Sequence, residues 1–471
     1  MAIPRERLVL MLTSVAFFLT ALDFTIVNVA FREIERDFGP GAATVLPWTL
    51  SGYAIAFAAG LLTAGRMSDS FGRKRSFLVG TALFTLASAA CGLAPTAEIL
   101  VAARVIQALG GAMLIPSATA LLLPEFPVER RSQIMGITAM MGSVAAGAGP
   151  GIGGFLVSNL GWRWVFFVNL PFCTATVVLG SKLLHESKDP TAVRRPDFVG
   201  AGLAIAAVAL LTLAIIEGES WGWSSPTELG TLAVSVALGA AFVSRCRRHP
   251  TPVLDLSLLS LRFVSTANVA CLLWSMGFYA MFFNHVAWLQ GVWNYSGQRS
   301  GVAIMAGPLA ATFSSFFGGR FAPRLGHVRV FVTGSVLVGI GVLALAMRLT
   351  REPAWLEVFL PSLVLIGIGI GLVISSLTSA ANAFLPVHRF GMGSALYNTN
   401  RQVGAALGIA IATAIQAVTP GPDGILHVYW YVCVAVLAGA AVMQIFYRRP
   451  TQAELDASSA PVTTVAPGLA R

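Results

Sequence analysis

The chain has 471 residues, of which 56% are hydrophobic and 11% charged. That is less than half the charge of an average soluble domain, about 25%, so a water-soluble globule is excluded. The net charge of +10 sits in short segments between apolar runs rather than in a basic stripe with interleaved aromatics, which argues against nucleic acid as a partner. Cys91, Cys173, Cys246, Cys271 and Cys433 are scattered without a CxxC spacing, so neither a disulfide framework nor a metal site is expected.

Apolar runs of about 20 residues, each long enough to cross a bilayer, recur throughout. Met1 to Thr20 has the look of a signal peptide, but no small-residue cleavage site comes before Asp23 and Asn28, so this run reads as the first membrane helix. Charges, prolines and glycine turns then divide the chain into fourteen candidate spans. They cover 8–30, 43–64, 76–94, 97–122, 131–158, 162–184, 198–216, 227–245, 262–290, 297–319, 328–347, 355–383, 388–417 and 425–447. The boundaries around 217–226 and within 262–290 are the least sharp. With the N-terminus inside, 23 of the 31 Lys and Arg residues fall on the cytoplasmic side and six outside. Miscounting by one helix would invert the second half and destroy that asymmetry. Fourteen spans with both termini cytoplasmic fit best, followed by a disordered tail over 450–471.

Between the second and third spans lies GRMSDSFGRKR, residues 65–75, read as a charged cytoplasmic hairpin. Shifted by 254 positions it meets GRFAPRLGH at 319–327, with Gly65 on Gly319, Arg66 on Arg320 and Gly72 on Gly326. Asp69 meets Pro323, so the anion does not repeat. The offset implies a duplicated unit: a six-helix bundle over 1–190, two inserted helices over 191–260 and a second bundle over 261–449. Repeated bundles rocking about a central site are a transporter architecture.

The motifs resemble those of the major facilitator superfamily. GRMSDSFGRKR resembles its signature between the second and third helices, and LVAARVIQALGGA (100–112) its fourth-helix motif, with Arg104 and Gln107 in place and Ala108 for a usual glycine. AAGAGPGIGG (145–154) is similar to the fifth-helix motif of its antiporters, with Gly149, Pro150, Gly153 and Gly154 matching. LDFTIVNVA (22–30) and YNTNRQVGAALG (397–408) are similar to the first and thirteenth helices of its fourteen-span drug:proton antiporters. The resemblance implies an all-α polytopic membrane protein that exports hydrophobic drugs or metabolites in exchange for protons, without a cofactor, as a monomer in the cell membrane.

Asp23 is the first candidate, because an ionisable group within a span is costly and usually functional. Counted from Leu8 it lies about 22 Å along its helix, and Arg104 about 10 Å into a helix entering from outside, at about 1.5 Å per residue. The two depths match. If the first and fourth helices both line the cavity, as the resemblance implies, Asp23 can take a proton outside and release it inside, with Arg104 and Gln107 assisting. The competing reading is an aspartate that merely caps or braces the helix end. Arg401, near the midplane with Asn398, Asn400 and Gln402, heads a polar stripe and tunes or positions rather than titrates.

Gly65, Asp69, Gly72, Arg73, Arg75 and Arg130 form the expected cytoplasmic gate, with Asp69 accepting from arginines such as Arg130; the alternative is a topology anchor alone. Pro150 should bend the fifth helix, while Gly149, Gly153 and Gly154 permit close packing, read either as a seal against leak or as ordinary contact. No Asp or Glu falls inside a span between Phe263 and Tyr447, which leaves His285 as the titratable candidate there, against the commoner reading of a lone histidine on an apolar helix as a satisfied structural one. The aromatics around it (Trp274, Phe278, Tyr279, Phe282, Phe283, Trp288) line a binding wall or face lipid. A single in-span carboxylate favours neutral or lipophilic monocationic substrates. An importing symporter, a non-transporting sensor and a membrane enzyme are the alternatives, the last disfavoured by six scattered histidines and no paired acids.

Overall fold

A computed structural model describes residues 4–39, 45–46, 48–187, 197–250, 252–295, 297–382, 384–385, 389–448 and 451. The expected tail over 450–471 therefore lies almost wholly outside the described residues. All regular structure among them is helical. Fourteen helices have 15 residues or more: α1 (Arg5–Phe38), α2 (Trp48–Phe71), α3 (Arg73–Gly92), α4 (Ala97–Leu122), α5 (Val128–Leu160), α6 (Asn169–Leu183), α7 (Phe198–Trp221), α8 (Pro226–Arg248), α9 (Arg262–Ala287), α10 (Ala306–Leu325), α11 (His327–Arg348), α12 (Leu360–Asn382), α13 (Phe390–Val418) and α14 (Pro422–Phe446). Eleven helices among the described residues are long and apolar enough to cross a membrane, or twelve if the two bent pieces of α5 count as one. The two others fall short for different reasons. Only Trp48–Leu61 of α2 forms a short apolar stretch, and the middle of α13 carries Asn398, Asn400, Arg401 and Gln402.

Helices outrun the apolar segments. The first span was expected to end at 30, yet α1 continues to Phe38, because the Arg, Glu and Asp residues beyond Ala30 leave the membrane but are tolerated in a helix. Asp37, near that outer end, accepts hydrogen bonds from Trp162 Nε1 at 3.0 Å and Arg163 Nη1 at 2.7 Å. These bonds hold its carboxyl below the usual carboxylate range. The expected hairpin over 65–75 is likewise helix on both sides of one residue. α2 runs to Phe71 and α3 starts at Arg73, with Gly72 alone between them at φ 115°. The repeat copies this joint, since Gly326 at φ 92° is the single link between α10 and α11. A side chain would be strained at either position. Gly65, by contrast, lies within α2 and makes no turn.

The same packing pattern occurs in two sets of helices, 5–183 and 262–446. In the first half α1 packs on α5 and α4 on both α2 and α3; in the second α9 packs on α13 and α12 on both α10 and α11. Between halves, α5 lies along α10 and α13 along α2. Because lipid is as apolar as a leucine side chain, close backbone approach replaces hydrophobic drive at these contacts. A Cβ on Gly136 would stand 2.7 Å from the carbonyl of Ser315 and one on Gly147 3.1 Å from Pro308, both across the α5–α10 seam. Near one end of α13, Ser394 Oγ donates to Thr119 Oγ1 of α4 at 3.1 Å.

α7 and α8, expected as the inserted pair, pack on each other. Asp197 caps α7 by accepting from the Gly200 amide at 2.8 Å, and Arg245 Nε of α8 donates to the same carboxylate at 2.7 Å. α7 also lies against α2 and α13, where Leu211 and Ile215 meet Ala406, Leu407 and Ala410. Glu217, in the segment 217–226 expected between spans, is helical, because α7 continues to Trp221.

Candidate functional site

The structure brings Asp23, Arg104 and Gln107 together inside the first half. Asp23 is 0% exposed and Arg104 1%, so burial of one charge requires the other close by. Arg104 Nη1 donates to Asp23 Oδ2 at 2.6 Å, Gln107 Nε2 to Asp23 Oδ1 at 2.9 Å, and Asn169 Nδ2 to the same oxygen at 3.3 Å. Every donor points at the acid, which is the pattern of an ionised carboxylate. Arg104 has further acceptors. Nη1 also reaches Gln107 Oε1 at 2.7 Å, Nε reaches the Thr49 carbonyl at 3.3 Å, and its guanidinium lies 4.1 Å from the Tyr53 ring centre. Gln107 and Asn169 both donate to Ser88 Oγ, at 3.2 and 3.1 Å, and that hydroxyl donates to the Phe166 carbonyl at 2.9 Å.

Thr49, Tyr53, Ser88 and Asn169 are the members that sequence reasoning missed. Asn169, at the start of an otherwise apolar helix, was the available signal. Its distance of 146 positions from Asp23 hid the pairing.

The remaining candidates lie elsewhere. Arg401 and Asn398 sit on α13, where Arg401 Nη2 donates to Asn398 Oδ1 at 3.1 Å. His285 is inside the second half: its Nδ1 meets the Tyr429 hydroxyl at 2.8 Å, and the Phe359 ring lies across it. It shares no partner with the Asp23 network. The aromatics around it divide, with Trp274 and Trp288 buried, Phe278 and Tyr279 half-buried, and Phe282 and Phe283 exposed.

In the expected gate, the Asp69 side chain lies outside what the structure describes, and Arg130 is exposed. A different acid holds this corner. The Glu186 carboxylate, just past α6, accepts from the backbone amides of Lys74 and Arg75 at 3.1 and 3.2 Å. It lies 3.8 Å from Arg75 Nε, and the Arg73 amide donates to the Ser187 carbonyl at 3.0 Å. An acid at a helix N-terminus satisfies orphan amides and meets the positive end of the dipole. The end of the first bundle is thereby strapped to the start of α3, and the Arg73 side chain is buried beside it. Since Glu186 is 29% exposed, Glu186→Ala is expected to cost about 1 kcal/mol, read as a lower unfolding temperature in detergent, with Glu186→Gln costing less.

The glycine motif of α5 also divides. The helix bends by 42° between its pieces Glu129–Gly149 and Gly151–Leu160, at Pro150. A Cβ on Gly149 would collide with Thr25, and one on Gly153 would stand 2.9 Å from Ile26 Cγ1 and 3.2 Å from the Ile26 carbonyl. Both glycines thus press on α1 within one turn of Asp23, whereas Gly154 faces open space. The second half repeats the device, with Gly404 against Leu272 and Gly408 against Met276 of α9.

Residues 13–409 match the model of the Major Facilitator Superfamily. The chain is 33% identical to Multidrug resistance protein Stp of Mycobacterium tuberculosis (strain CDC 1551 / Oshkosh), over 88% of this chain and 76% of that one. It is 32% identical to Puromycin resistance protein pur8 of Streptomyces alboniger, over 98% and 96% of the two chains. Among solved structures, the human organic anion transporter MFSD10 (TETRAN) superposes with a TM-score of 0.70 at 16% identity, covering 94% of this chain and all of that one. The likeness in structure is one of fold; the likeness in sequence runs the length of the chain. The protein is a multi-pass membrane transporter rather than an enzyme, and it belongs to the Major Facilitator Superfamily.

Proposed function

We propose that this protein is a proton-coupled efflux antiporter that exports hydrophobic small molecules across the cytoplasmic membrane by alternating access. Relatives named for multidrug and puromycin resistance support the efflux direction. In this reading the halves over 1–190 and 261–449 rock against each other along the α5–α10 and α2–α13 seams. The inserted helices over 191–260 bring the spans to fourteen, with both termini cytoplasmic, and the protein works as a monomer.

The observation that carries the coupling is the closed Asp23–Arg104 pair. With no exposed surface, Asp23 exchanges a proton only when its contacts open. Protonation removes the charge that holds Arg104, and the Thr49 carbonyl, Gln107 Oε1 and the Tyr53 ring are already in place to keep the guanidinium satisfied. Gly149 and Gly153, pressed on α1 beside this pair, give a route by which a shift of α1 moves α5 and hence the seam with α10. The cytoplasmic gate combines the joint at Gly72 with Arg73, Arg75 and the Glu186 strap, and Asp69 and Arg130 join it in other conformations.

The energetics constrain the exchange. A neutral substrate traded for one proton uses the full proton gradient, whereas a monocation uses only the pH difference, about 1.4 kcal/mol per unit. In inverted vesicles with an imposed pH gradient, ethidium or chloramphenicol is expected to dissipate that gradient when the protein is present and not when it is absent. Substrate binding without dissipation would instead indicate a sensor or an uncoupled carrier.

A further inference from the structure

Among the described residues, the second half contains one charge deep in its helices, and that charge has no counter-ion among them. Arg401 is the twelfth residue of α13 (Phe390–Val418), close to midway through a bilayer at about 1.5 Å per residue. Among the described residues, its one hydrogen bond is the donation to Asn398 Oδ1 at 3.1 Å. Its Nε is enclosed without any acceptor. The titratable groups around it are Tyr279, Tyr397 and Cys271, none of which carries charge at neutral pH. Neighbouring polar groups are engaged elsewhere: Asn400 donates to Asn268 at 2.8 Å, and the Tyr397 hydroxyl is paired with Thr378 at 3.1 Å. A solitary guanidinium at this depth is costly. The first half neutralises its own arginine; this one is left open.

Its direction follows from helix geometry. Ser394, Asn398 and Arg401 stand at i, i+4 and i+7 and so share one face of α13. Ser394 on that face touches Thr119 of the opposite half. Gly408, seven positions beyond Arg401 on that face, rests on Met276 of α9, so Arg401 stands where α13 passes from the seam between halves to α9, and it is only partly buried.

We propose that Arg401 anchors the transported molecule by an acidic oxygen, so that the substrates include lipophilic organic anions. The inference rests on the export reading above and narrows its substrate class. The complementary observation is that Asp23 is engaged by Arg104, Gln107 and Asn169 and offers no exposed surface to a cationic ligand. Exchange of an anion for a proton moves charge inward on both legs, so an inside-negative potential accelerates it.

The test uses the full chain in inverted vesicles with two probes, the anion 8-anilinonaphthalene-1-sulfonate and the cation ethidium. The wild type is expected to transport the sulfonate. Arg401→Gln should lower the sulfonate-to-ethidium transport ratio by about tenfold or more, the loss typical of a charged hydrogen bond, and Arg401→Lys should restore part of it. Asn398→Asp places a carboxylate beside the guanidinium without removing it, and should lower the same ratio even if Arg401→Gln fails to fold. If both probes fall in parallel in every variant, Arg401 is scaffold and the proposal is overturned. A wild type that moves ethidium but not the sulfonate also overturns it while leaving export intact. Movement of neither probe overturns the export reading itself.

Discussion

Asp23→Ala is expected to destabilise the protein by about 3–5 kcal/mol, because it leaves Arg104 buried without a counter-ion. The pair is closed at 2.6 Å with both side chains essentially inaccessible. Asp23→Asn keeps the shape and an acceptor oxygen for Arg104 or Gln107, so its stability loss should be smaller, about 1–3 kcal/mol. Its transport is expected to lose coupling altogether, with no substrate-evoked dissipation of the pH gradient. The double variant Asp23→Leu with Arg104→Met separates the two roles. Replacing a buried pair by apolar residues of similar volume is often close to neutral for stability, so this protein should unfold near the wild-type temperature in detergent and still fail to couple. An Asp23→Asn protein that exports against a gradient at full rate would reduce the pair to a brace between α1 and α4.

Gly149→Val and Gly153→Val are each expected to cost about 2–3 kcal/mol, and Gly154→Val no more than about 0.5 kcal/mol. The side chains would be driven into Thr25 and Ile26 at the first two positions and into open space at the third. Gly408→Val should match or exceed them, since its Cβ would strike the Met276 backbone, which cannot rotate away as a side chain can. Unfolding temperatures of the four variants, set beside proton leak in vesicles without substrate, distinguish the two readings of the motif. A seal predicts leak in Gly149→Val beyond what its stability loss explains. Ordinary packing predicts a loss of folded protein and tight vesicles.

Apolar runs made most of the helices legible, because a bilayer demands about 20 apolar residues whatever the tertiary context. They reported where the membrane ends, not where the helix ends, so 31–38 and 65–71 read as loops although their backbone is helical. Asp23, Arg104 and Gln107 could be linked through depth alone, since rise per residue converts position into height. Ser88, Asn169 and Glu186 could not. Ser88 meets Asn169 across 81 positions, Asn169 meets Asp23 across 146 and Glu186 meets Lys74 across 112, and a polar side chain in an apolar helix does not reveal which neighbour it faces. Asp69 drew attention in the sequence as the only acid of its motif, whereas Glu186, in an unremarkable stretch after α6, holds the α3 N-terminus.

The joints at Gly72 and Gly326 carry a mechanical consequence. One residue between two helices leaves no slack: at about 3.3–3.6 Å per extended residue, Phe71 and Arg73, or Leu325 and His327, can never part by more than about 7 Å. Each pair is a folding ruler pinned at one end, free to swivel and unable to slide. At that end of the molecule the two helices of each pair can therefore change their angle but not their spacing, with the pins as fixed points of the lever.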